Sequence, residues 1–159
     1  MHFDFVVDHT ETILSTAKEY SKKENYDYAK MFYALFFEHS TNGLINSECT
    51  KRKISRVFIN EILRLELKQK LTWLLELLKL PKYRSNNLIT IKKLFDERNA
   101  FVHYKYKPEP GDIVANVEKE KEGNEKQIED IKKVVEYHKT YIAKALYGGK
   151  KRKLSKLLS

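Results

Sequence analysis

Proton transfer near neutral pH is the natural work of histidine, and the chain has five: His2, His9, His39, His103 and His138. His2 lies at the start, and His9 stands among polar neighbours. His39 follows Glu38 directly, and adjacent helical residues point about 100° apart, so the pair makes no ready chelate. His138 falls on an apolar stripe and reads as a hydrogen-bonded core histidine. There is no His-Glu-x-x-His pattern and no Cys/His cluster, so neither a metal centre nor a cofactor is expected.

His103 remains, in the segment LFDERNAFVHYKYKP. Lys92, Asp96, Asn99, His103 and Tyr106 recur at helical spacing and form one polar stripe. The opposite stripe is Ile91, Leu94/Phe95, Arg98 and Phe101/Val102, which puts Arg98 on the apolar side. A guanidinium there needs a carboxylate, carbonyls or a bound anion, because an unpaired buried charge is costly. Spacing alone leaves two readings open. Arg98 could anchor a phosphate one turn from Asn99 and His103, or it could bridge to a carboxylate such as Glu38. Arg98 and His103 are five residues apart, about 140° around a regular helix. A single helix does not easily aim both at one phosphate, whereas a twofold dimer would supply the missing half from a second copy.

The surrounding pattern is helical. Residues 3–21 carry one apolar stripe, and 26–45 are apolar on nearly every side between Met31 and Phe37, as befits a central helix. Lys51 to Leu80 reads as a further helical stretch with a bend near Lys68-Gln69-Lys70, stopped by Pro81. Ser85-Asn86-Asn87 offers N-cap chemistry for a helix from Leu88 to Tyr106, and Pro108 and Pro110-Gly111 end it. Residues 107–127 are polar and charge-mixed and read as a long mobile connection. A last helix is expected over 125–147, with Ile128, Ile131, Val135, His138, Ile142 and Ala145 on its buried face, closed by Gly148-Gly149. Four to five helices and no credible strand predict an all-α, antiparallel bundle. It forms a single domain over residues 1–147, followed by a basic tail at 148–159.

Charge is unevenly placed. Residues 1–50 hold 4 basic and 8 acidic side chains, net −4, whereas 51–107 hold 15 and 5, net +10. Residues 108–147 hold 7 and 9, net −2, and the tail holds 5 and 0, net +5. A basic middle and tail suit a polyanion such as RNA. The one cysteine, Cys49, allows no internal disulfide, and the first residues have no basic, then apolar, leader pattern. No apolar run approaches the ~20 residues of a membrane span. A cytoplasmic setting without membrane contact is the expectation.

Arg98-Asn99-x-x-x-His103 at the end of an amphipathic helix, in a compact basic all-α chain, resembles the signature of the HEPN family, Arg-x(4–6)-His with a polar residue after the arginine. The resemblance implies a helical bundle that dimerises so that two motifs face one cleft. It also implies metal-independent endoribonuclease activity, commonly in toxins or phage-defence effectors held by an antitoxin. Other members are non-catalytic modules that bind RNA, a nucleotide or a protein. By that resemblance Arg98, Asn99 and His103 are the catalytic set; Lys92, Lys105, Tyr106 and Glu38 are further candidates for contact with substrate. One subgroup extends the motif to His-x-Tyr. Here Lys105 occupies that position, flanked by Tyr104 and Tyr106.

Overall fold

The computed structural model describes residues 8–103 and 115–148. Six helices account for nearly all of them: α1 (Thr10–Lys22), α2 (Tyr26–Lys51), α3 (Arg56–Leu63), α4 (67–77), α5 (Ser85–Val102) and α6 (Ala115–Tyr147). No strand occurs among the described residues, so the protein is all-α. None of the helices is long and apolar enough to cross a membrane.

The apolar density of α2 decides the architecture. All five other helices touch it, and Ala29, Tyr33, Phe36, Phe37 and Leu44 along its length are buried. A main core forms where α1, α4, α5 and α6 lay Leu14, Leu71, Leu94 and Ile131 against these residues. A smaller core gathers Ile45 and Cys49 of α2 with Ile59, Leu74 and Leu78. Burial pushes the Cys49 thiol above its ordinary pKa, which makes it inert packing.

Three helix ends share one device. Glu24, Lys53 and Lys79 follow α1, α2 and α4 with φ of 57°, 57° and 53°. The next amide in each case reaches back five residues: Asn25 to the Tyr20 carbonyl, Ile54 to Cys49 and Leu80 to Leu75, at 3.0, 3.1 and 2.9 Å. This is the left-handed helix cap that glycine usually supplies. Ile54 and Leu80 then fold onto the smaller core.

Several expected boundaries move. α2 continues to Lys51 instead of ending near Ile45, because Glu48 at its C-terminal turn is buried and held by Lys51 and Arg52. The break expected near Lys68 lies at 64–66, where the Glu66 amide donates to the Gln69 side chain at 3.1 Å and starts α4. At Lys70 the helix instead widens into a π-helical stretch, Lys70–Leu74. α5 begins at Ser85 and is capped by Arg84 without a side-chain hydrogen bond, so Ser85-Asn86-Asn87 form its first turn and not its cap. The Arg84 amide donates to the Tyr137 hydroxyl at 3.2 Å and its guanidinium lies 5.0 Å from the Tyr137 ring centroid, so contact with α6 sets this start. α6 begins at Ala115, which makes 115–127 helical where a mobile connection was expected. The expected first turns before Asp8, the remainder of that connection and nearly all of the basic tail lie outside the described residues.

Candidate functional site

α5 positions the candidate residues. Its inner face buries Ile91 and Leu94, which fixes the rotation of the helix and turns Lys92, Asp96, Asn99 and His103 to solvent. A cross-helix clamp holds its outer end. Lys30 of α2, itself 7% exposed, donates to Asn124 of α6 at 2.7 Å and pairs with Glu97 at 2.7 Å.

Arg98 sits next to that clamp. Its guanidinium donates to Asn99 Oδ1 at 3.1 Å, lies 3.8 Å from Glu38 Oε2 and rests 5.9 Å from the Phe95 ring centroid. Both charged side chains are about one-third exposed. A locked Arg–carboxylate pair closes to about 2.8 Å with two bonds, so the contact with Glu38 is loose. Both readings left open by the spacing thus meet at one place: the carboxylate partner is present, and the guanidinium stays reachable from solvent.

His103 caps α5. Its amide donates to the Asn99 carbonyl at 3.0 Å, and its side chain is exposed. Next to it, the end of α5 meets an aromatic surface. Phe101 contacts Tyr28 edge-on at 5.6 Å, and Tyr28 stacks on Tyr20, which stacks on Phe32, at 5.3 and 5.5 Å. Tyr28, Phe101, Leu35 and Val102 remain substantially exposed.

A groove of about 630 Å³ runs from Arg98 and Asn99 past Phe95 and Lys92 to the α3–α4 junction. It unites Glu38, Lys92, Arg98 and Asn99 of the sequence-derived set; His103 is not among its lining residues. Lys105 and Tyr106 lie outside the described residues. Arg64 and Lys68 also enter the groove, and no motif flags them. The only trace of them in the sequence is the basic excess of 51–107.

Two further polar groups are buried away from this groove. His138 is fully enclosed, with Nε2 2.9 Å from Ser40 Oγ and Nδ1 2.9 Å from the Tyr83 hydroxyl. Burial pushes its pKa down to about 3. Lys70, 1% exposed, donates to Asn42 Oδ1 and the Leu63 carbonyl, both at 2.7 Å, and burial holds its pKa below the usual lysine range. Among the described residues no group of three or more His, Cys, Asp or Glu side chains could hold a metal ion.

Compared with known families, with curated proteins and with solved structures, the chain gives no match.

Proposed function

We propose that the chain is a HEPN-like, metal-independent endoribonuclease of the toxin or phage-defence kind, acting in the cytoplasm as a homodimer of antiparallel helical bundles. The observation that carries this reading is the linkage of Arg98 to Asn99 at the mouth of a groove, with His103 next along the same solvent-facing end of α5. In the reaction, a base takes the proton from a ribose 2′-hydroxyl, and its oxygen attacks the adjacent phosphorus. The 5′-oxygen leaves with a proton from an acid, and a 2′,3′-cyclic phosphate remains. His103 serves as the acid/base. Arg98 stabilises the charge that builds on the phosphoryl oxygens, and Asn99 holds the guanidinium. The exposed Tyr28 and Phe101 offer faces on which unpaired bases stack. The apolar exposure of Leu35, Phe101 and Val102 suits contact with a second copy, whose His103 would complete the acid/base pair.

A binding module without catalysis is the second reading. It is favoured by the separation of His103 from the groove and by the Glu38 carboxylate already beside Arg98. Purified protein on mixed RNAs in EDTA distinguishes the two. Cyclic phosphate ends that vanish with His103→Ala support the nuclease, as does growth arrest on induction that the variant lacks. Strict dependence on added Mg²⁺ or Mn²⁺ overturns the mechanism, and RNA binding without cleavage selects the module.

A further inference from the structure

We infer that the open pocket bordered by the start of α1, the middle of α2, α3 and the end of α6 binds a small organic anion, an acidic head group carried on an apolar body. The pocket holds about 410 Å³, within the range of small-molecule sites. Its apolar wall is Leu44, Leu63, Ile142 and Leu146, and its polar wall includes Arg56, His39 and Asp8.

Charge selects the occupant. Arg56 is aimed by a hydrogen bond to Asn46 Oδ1 at 2.8 Å, and among the described residues no carboxylate lies within ion-pair distance of it. Behind the wall stands Lys70, whose amine rests on Asn42 and on the Leu63 carbonyl, both of which line the pocket. These partners are neutral, and two acceptors leave one of the three N–H donors over. The Glu38 charge reaches Lys70 only from beyond ion-pair distance and lies beside Arg98. A buried ammonium without a counter-charge is costly, and an anion in the adjoining pocket lowers that cost.

Among the described residues Asp8 is the one carboxylate lining the pocket. It accepts the Thr10 amide at 2.9 Å and lies 3.8 Å from His39 Nε2. His39 Nε2 also accepts the His9 amide at 3.3 Å, so the neutral ring carries its proton on Nδ1 and can donate. Arg56 on the lining and Lys70 behind it thus stand against one engaged carboxylate, and a single negative charge brings this set of three to balance. The apolar wall requires that this charge be borne by an apolar group, which inorganic phosphate does not provide.

The site shares no lining residue with the proposed nuclease groove except at the level of neighbouring positions, so it stands or falls independently of RNA cleavage. The test is a titration of the ¹⁵N-labelled full chain with phenyl phosphate, benzoate and the neutral benzyl alcohol, followed by amide shifts. Saturable shifts at Thr10, Leu63 and Leu146 are expected for the two anions, with benzyl alcohol at least tenfold weaker. The ratio of the two anion affinities tells a phosphate site from a carboxylate site. Arg56→Gln should weaken anion binding at least tenfold, while Lys139→Gln, on the exposed side of α6, leaves it unchanged. The proposal is overturned if benzyl alcohol binds as well as the anions or if Arg56→Gln has no effect. It is equally overturned if shifts fall elsewhere, or if no probe saturates.

Discussion

Arg98 and Glu38 face each other across the α5–α2 contact at 3.8 Å, close enough to attract and too far to lock. A pair that is about one-third exposed contributes about 0.5–1 kcal/mol. Glu38→Gln should therefore leave the fold intact and free the guanidinium for phosphate. RNA affinity, measured by fluorescence anisotropy at fixed low salt, is expected to rise two- to fivefold by that figure, and Arg98→Ala should lower it. A fall in affinity on Glu38→Gln would mean that the carboxylate itself touches RNA.

The left-handed caps make a separate stability prediction. Lys53 and Lys79 occupy a conformation that costs a side-chain-bearing residue roughly 1 kcal/mol relative to glycine. Lys53→Gly and Lys79→Gly should each raise the urea midpoint, by about 0.5–1 kcal/mol of stability. Glu24 is the weaker candidate, because its carboxylate also pairs with Lys121 at 2.9 Å.

These caps also explain what the sequence hides. Residues 50–55 contain neither Gly nor Pro, so the close of α2 carries no punctuation, and its last turn reads as the start of the next helix. The first turns of α6 are obscured for a different reason. Val117 to Gly123 are exposed, so they show no apolar period, and an exposed helix of Glu and Lys has the composition of a loop. His138 was legible because its neighbours at helical spacing, Ile131 and Val135, do pack. That Arg98, Asn99 and His103 share one helix end was legible, with Asn99 and His103 on its polar stripe and Arg98 on the apolar one. The groove was not, because Arg64 and Lys68 reach it from either side of the helix break at 64–66.

Lys30 joins three helices through Glu97 and Asn124 and is nearly buried. Lys30→Met keeps most of the apolar stem but strands a carboxylate and an amide oxygen. A loss of about 2–4 kcal/mol is expected by chemical denaturation. Because Glu97 precedes Arg98, the same variant should loosen the end of α5, visible as faster amide exchange at Phe101 and Val102. Unchanged stability would show that water replaces the clamp.

Stability towards acid should depend on His138. Ser40 Oγ donates its proton to the Phe36 carbonyl at 2.6 Å, so it accepts from His138 Nε2–H, and the Tyr83 hydroxyl donates to Nδ1. The ring is neutral and both nitrogens are used. Burial lowers the folded-state pKa from an ordinary 6.5 to about 3. A depressed folded pKa means that the unfolded chain takes up the proton first. The contribution is therefore fully present above pH 6.5 and is lost as the pH falls from there towards 3. At about 1.4 kcal/mol per unit, the loss between pH 7.5 and pH 5 is about 2 kcal/mol. Urea titrations at pH 7.5, 6.5, 5.5 and 5.0 should show it. His138→Gln should flatten the profile while lowering stability at pH 7.5, because an amide cannot satisfy both Ser40 and Tyr83 in the same geometry. If the variant keeps the full slope, the acid sensitivity arises elsewhere.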